Sequence, residues 1–103
     1  LVCLASRIPY GSEITVERLR RIDRSEAALR ELGFAQVRVR DHGTVARIEV
    51  APASIARLLE PELRARVQRE LRAAGYPYVA VDLAGYRTGA MNETLGDSSS
   101  PSG

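Results

Sequence analysis

Phe34-Ala35-Gln36-Val37-Arg38-Val39-Arg40-Asp41-His42-Gly43-Thr44-Val45-Ala46-Arg47-Ile48-Glu49-Val50 is the stretch whose pattern decides the fold. From Phe34 to Arg40 the residues alternate, with Val37 and Val39 facing one way and Gln36, Arg38 and Arg40 the other. Asp41-His42-Gly43-Thr44 is a turn signal, because Asp can bond its own backbone and Gly accepts positive φ. Alternation then resumes, with Ala46, Ile48 and Val50 on one face and Val45, Arg47 and Glu49 on the other. Two alternating runs about a turn predict a β-hairpin. A loop centred on His42-Gly43 would place Arg40 opposite Val45 and Arg38 opposite Arg47.

Upstream, Thr15 reads as a helix N-cap, and Glu17 favours the helix dipole in the first turn. The helix is expected to run to about Leu32, with Gly33 as its stop. Leu19, Ile22, Leu29 and Leu32 form its apolar stripe. Glu26 falls inside that stripe, where a carboxylate must be desolvated, paired or turned to a site. Downstream, Pro52 starts a short helix and Pro61 a longer one to about Ala74, stopped by Gly75. Leu59, Leu63, Val67 and Leu71 lie at helical spacing. Tyr78 to Leu83 reads as a third strand, and the glycine-bounded, polar residues 85–93 as a functional or interface loop. With a possible extra strand near Cys3, the order is (β)-α-β-β-α-β. That is an α+β fold: a small sheet of mixed or antiparallel strands with a β-hairpin, and two helices packed on one face.

A chain of 103 residues with 45% hydrophobic residues makes one small soluble-type domain. No apolar run approaches the roughly 18 residues of a membrane span, and no signal peptide opens the chain. The single cysteine excludes an internal disulfide framework, and no iron–sulfur or zinc site is expected from this chain alone. A cytoplasmic setting fits that usage. All 15 basic residues are arginine, but 13 acidic residues leave a net charge of only +2, a weak footprint for nucleic acid. The opening without a methionine reads as the interior of a longer protein, and residues 96–103 as a disordered Ser-rich tail.

Cys3 stands four residues before Arg7. A thiol beside a fixed positive charge can ionise more readily, and the thiolate is the nucleophile; a plain buried thiol is the alternative. Arg38 and Arg40 share one strand face, and Arg47 joins them from the neighbouring strand. Guanidinium forks match phosphate and carboxylate, whereas a solvated face is the bland reading. Glu26 is open to three roles: partner of one of those arginines, metal ligand or general base. Glu49 is a possible metal ligand, with no metal assigned, and His42 is expected to be an exposed turn residue. Neither a P-loop nor a dinucleotide fingerprint is present.

The run Cys3-Leu4-Ala5-Ser6-Arg7-Ile8-Pro9-Tyr10-Gly11 with Glu13-Ile14-Thr15 resembles the opening of the C-terminal domain of the LarE proteins. These are ATP-dependent sacrificial sulfur transferases of the PP-loop ATP pyrophosphatase superfamily. Leu32-Gly33-Phe34 before Val37-Arg38-Val39-Arg40, then Ala46-Arg47-Ile48-Glu49-Val50, and Gly85-Tyr86-Arg87-x-Gly89-x-Met91-Asn92-Glu93 also match. The resemblance covers residues 1–95 as a C-terminal domain, the N-terminal PP-loop domain being absent from this chain. It implies adenylation of a carboxylate of a pyridinium biscarboxylic acid mononucleotide, followed by attack of a cysteine whose sulfur is given up. The product serves nickel-pincer cofactor synthesis for lactate racemase. The resemblance places the donor on Cys3, an active-site acid on Glu26, and substrate contacts on Ser6, Arg7, Arg38 and Arg40. It also implies ATP and Mg held mainly by the missing domain, and a homohexamer, with neither membrane nor nucleic acid as partner. The alternatives are a non-catalytic oligomerisation domain of a PP-loop enzyme and a tRNA-thiolating relative.

Overall fold

A computed structural model describes residues 4–86 of the chain. Cys3, the greater part of the expected loop over residues 85–93 and the Ser-rich tail lie outside the described residues. A 3₁₀ turn, Leu4–Arg7, comes first, so the extra strand considered near Cys3 gives way, over its described part, to a tight turn. Then come α1 (Val16–Glu31), β1 (Val37–Asp41), β2 (Val45–Val50), a 3₁₀ turn at Pro52–Ser54, α2 (Ile55–Leu58), α3 (Pro61–Ala74) and β3 (Tyr78–Val81). The architecture is α+β with a mixed sheet. Strand order is β1-β2-β3; β1 and β2 are antiparallel, and β2 and β3 parallel.

The local chemistry explains the elements. The Thr15 hydroxyl accepts the Arg18 N–H at 3.1 Å and so caps α1. Proline opens α3 at its first turn, where no N–H is needed, and Gly75 ends it. The inward residues of the hairpin, Val37, Val39, Ala46, Ile48 and Val50, pack with Leu29 of α1, Leu58 of α2, and Val67 and Leu71 of α3 in one core. The arginines of the hairpin therefore lie on the opposite face of the sheet.

The hairpin register differs from the sequence expectation by two residues. Arg38 is opposite Glu49, and Arg40 is opposite Arg47. The His42 N–H donates to Val45 O at 2.9 Å, so the turn centres on Gly43-Thr44. Gly43 takes φ +81°, as a primed two-residue turn demands, and its N–H is held by the Asp41 carboxylate at 2.9 Å. Hydrogen bonding at the turn, not composition alone, sets which residues face each other.

β3 ends at Val81, two residues before Leu83. The Asp82 carboxylate accepts the Ala84 N–H there and turns the chain. Gly85 then passes so close to the end of β2 that a Cβ would stand 2.7 Å from Val50 O, and its φ is +83°. Only glycine fits such an approach. The Tyr86 N–H closes it by donating to Val50 O at 2.6 Å, which brings Tyr86 beside the hairpin.

Candidate functional site

The site has two walls, and the first is the 3₁₀ turn. Arg7 is buried, at 6% exposure, and its Nε and Nη2 donate to Glu26 Oε2 and Oε1 at 3.0 and 3.3 Å. Its Nη1 donates to Ser6 Oγ at 3.2 Å. Glu26, 1% exposed, also accepts from Arg30 Nη2 at 3.2 Å and from the Val39 N–H at 2.9 Å. β1 is an edge strand, and the Val39 N–H turns away from β2. Glu26 thus closes a sheet edge and anchors the turn in one stroke. Of the roles left open for Glu26, an ion pair is present, but its partners are Arg7 and Arg30 and not Arg38, Arg40 or Arg47. The reason is placement: Glu26 lies on the inward stripe of α1, whereas the hairpin arginines lie on the outer face.

The second wall is that outer face. Arg40 Nε donates to Glu49 Oε2 at 3.2 Å, and its Nη1 to Ser6 O at 3.2 Å, which ties hairpin to turn. Arg47 Nη2 reaches the same Glu49 oxygen at 3.5 Å, and its Nε lies 3.7 Å from Asp82 Oδ2. Arg38 takes another course. Its Nη2 donates to Tyr86 OH at 3.1 Å, and its guanidinium carbon lies 4.9 Å from the centre of that ring. The structure therefore does not bring Arg38 and Arg40 together; it sends them to separate partners.

Between the walls is a cleft of about 140 Å³, lined by Ser6, Arg7, Ile8, Pro9, Arg40, His42 and Arg47. His42 is exposed, as its turn position implies, yet it lines this cleft. Partial burial holds its imidazole below the usual histidine range. Arg47, Arg40 and Arg18 add to that, against the opposing pull of Asp41. Every polar side chain lining the cleft can donate a hydrogen bond.

Glu49 is buried, and one of its oxygens is shared by two guanidinium groups. Among the described residues no group of three or more His, Cys, Asp and Glu side chains is arranged to hold a metal ion. No helix of the described residues is long and apolar enough to cross a membrane.

A third buried carboxylate escapes sequence reading. Asp41 is fully buried and accepts from Arg18 Nε and Nη2, Arg21 Nη2, the Gly43 N–H and, at 2.6 Å, Tyr76 OH. Burial pushes its carboxyl up, but the bonds from Tyr76, Gly43 and Arg18 outweigh that and hold it below the usual range. Burial and the bond to Asp41 push the Tyr76 phenol well above its ordinary value. The available signal was spacing: Asp41 follows Val37 and Val39 on the inward face, so it belongs to the core as well as to the turn.

No protein-family model matches the chain. It is 44% identical over 93 residues, 90% of its length, to an uncharacterized protein of Synechocystis, of which it covers 35%. It is also 44% identical over 92 residues, 89% of its length, to the pyridinium-3,5-bisthiocarboxylic acid mononucleotide synthase of Lactiplantibacillus plantarum, of which it covers 33%. The chain spans about a third of the length of the curated relatives it matches. Over that third it is a homologue of the synthase, in keeping with a LarE-type C-terminal domain.

Proposed function

We propose that this LarE-type chain is the C-terminal part of an ATP-dependent sacrificial sulfur transferase acting on a pyridinium biscarboxylic acid mononucleotide, for nickel-pincer cofactor synthesis. Relatedness to a synthase of that product class supports the reaction type. The observation that carries the reading to this chain is the cleft. It joins the donor-rich hairpin face to Ser6 and Arg7, residues of the turn that begins next to Cys3 in sequence. A cationic wall there suits an anionic substrate and favours the thiolate.

In this reading the Cys3 thiolate attacks the acyl-adenylate carbon and AMP leaves. The Cβ–Sγ bond of Cys3 then breaks as its Cα proton is lost. Dehydroalanine stays in the protein, and the sulfur departs as thiocarboxylate. Glu26 acts as a positioning residue that fixes Arg7, and Ser6 Oγ is in turn held by Arg7. Arg40 sets the facing wall. ATP and Mg are assigned to a PP-loop domain outside this chain, whose own sequence carries no phosphate loop. The setting is cytoplasmic and the assembly a homo-oligomer.

A second reading, an oligomerisation domain, is favoured by an apolar groove of about 330 Å³ between α3 and β3, bordered by the half-exposed Leu59 and the exposed Leu83. One variant separates the two. In the full-length protein, Cys3→Ala should abolish thiocarboxylate formation while pyrophosphate release continues. Wild-type protein should lose the mass of one hydrogen sulfide at Cys3 after turnover. Thiocarboxylate formed with the protein mass unchanged would mean a cluster or persulfide donor. Full activity of the alanine variant would rule out Cys3 as the sulfur donor.

A further inference from the structure

We infer that Tyr86 is a positioning residue: it fixes the guanidinium plane of Arg38 on the outer face of the hairpin without answering its charge, and so keeps that cation oriented for an anionic substrate. The inference rests on the function proposed above and adds to it a role for the chain just after β3.

The three hairpin arginines differ in what holds them. Arg40 Nε lies 3.2 Å from Glu49 Oε2, and Arg47 stands between Glu49 and Asp82 at 3.5 and 3.7 Å. Arg38 is directly opposite Glu49 in the register, yet among the described residues it forms no ion pair with that or any other carboxylate. Its Nε is buried and makes no hydrogen bond. What holds it is Tyr86, whose hydroxyl accepts from Nη2 at 3.1 Å and whose ring centre lies 4.9 Å from the guanidinium carbon. A carboxylate in that place would fix the side chain and neutralise it together. A phenol oxygen and a ring face fix it while supplying no net charge. The ordering of a long side chain, otherwise paid at the moment of binding, is met in advance, and the full positive charge remains.

Tyr86 is itself pinned through its backbone. The Asp82 carboxylate accepts the Ala84 N–H at 2.9 Å, and Asp82 O accepts the Gly85 N–H at 3.0 Å, which makes a tight turn after β3. Gly85, at φ +83°, then crosses the end of β2 where a Cβ would meet Val50 O, and the Tyr86 N–H bonds that same oxygen at 2.6 Å. Val50 pairs with Val37, the residue before Arg38. The anchor therefore lies one position along the ladder from the arginine that it serves.

The test is a double-mutant cycle read by calorimetry on the full-length protein, with the pyridinium mononucleotide, ATP and sulfate as probes. Tyr86→Leu should weaken the mononucleotide about three- to tenfold, the cost of ordering one side chain on binding, and leave ATP affinity unchanged. Tyr86→Phe, which keeps the ring, should fall between that variant and wild type. In an Arg38→Ala background Tyr86→Leu should have no further effect, because Tyr86 acts only through Arg38. Should Tyr86→Leu melt early, Tyr86→Phe carries the same cycle. Mononucleotide affinity unchanged in both Tyr86 variants, a loss equally large without Arg38, or ATP affinity falling in step, as a general loosening would produce, overturns the inference. Wild-type protein that ignores the mononucleotide sinks the proposed function. The inference then stands if sulfate binding shows the same Tyr86–Arg38 coupling, and falls if it does not.

Discussion

Replacing Glu26 by glutamine tests the framework of the site with an almost unchanged shape. The carbonyl oxygen of the introduced amide can still accept the Val39 N–H, now held at 2.9 Å. Its NH₂ group then takes the place of Oε1, so the bond from Arg7 Nη2 at 3.3 Å meets a donor, while the 3.0 Å bond from Arg7 Nε falls on a neutral oxygen in place of a charged one. Arg7 is 6% exposed and cannot recover its hydration. Leaving one partner of a buried ion pair uncompensated costs about 3–5 kcal/mol. Arg30 adds little, because it is half exposed. For a domain of this size each kcal/mol moves Tm by about 4–8 °C, so even the low end gives a fall of roughly 12–24 °C. Scanning calorimetry of the full-length protein reads this as a downward shift of the transition of this domain. The double variant Arg7→Met, Glu26→Gln removes the stranded charge as well and should regain most of the loss, a coupling of about 2 kcal/mol or more. A single variant melting within about 3 °C of wild type, or a double variant as poor as the sum of the singles, would refute the argument that Glu26 and Arg7 form one unit.

Asp41→Asn should destabilise the domain by about 2–4 kcal/mol in urea, because Arg18 and Arg21 lose their counter-charge and Tyr76 its strong acceptor. The folded carboxyl of Asp41 is depressed, so its contribution is whole above the unfolded value of 3.8 and fades as pH falls through the folded one. The gap between wild type and variant should therefore close in acid, and a gap constant down to about pH 2 contradicts this.

The fold was legible where one periodicity ran uninterrupted. Alternation at Val37–Val50 and the stripe of α1 located the hairpin and the long helix; Thr15 and Gly33 marked the ends of α1, and Pro61 and Gly75 those of α3. Register was not legible. It depends on whether Asp41 bonds the Gly43 N–H or leaves the turn to form one residue earlier, and both choices suit the same letters. Partner choice was not legible either. Periodicity put Glu26 on an inward face, but its partner Arg7 lies 19 residues away on a turn with no periodic signal. The Arg38–Tyr86 pair was hidden for a related reason: it needs Gly85 to let the chain pass over the end of β2, a tertiary event.

The chain carries its positive charge on arginine alone, and the site depends on what a guanidinium can do that an ammonium cannot. Arg7 grips both oxygens of Glu26 while holding Ser6, and Arg40 reaches Glu49 with one nitrogen and Ser6 O with another. Each side chain therefore bridges two elements in a fixed plane. The two carboxylates then separate two classes of arginine. Glu26 accepts from two guanidinium groups and a backbone amide in a buried place, so Arg7 is held as structure. Glu49 divides one oxygen between Arg40 and Arg47 at the edge of a cleft, with Asp82 3.7 Å from Arg47, so those two are held in place on the rim rather than locked in the core. A charge fully answered inside the protein stabilises the fold. A charge held by longer contacts, on a rigid strand beside a cleft, costs less to turn toward a ligand.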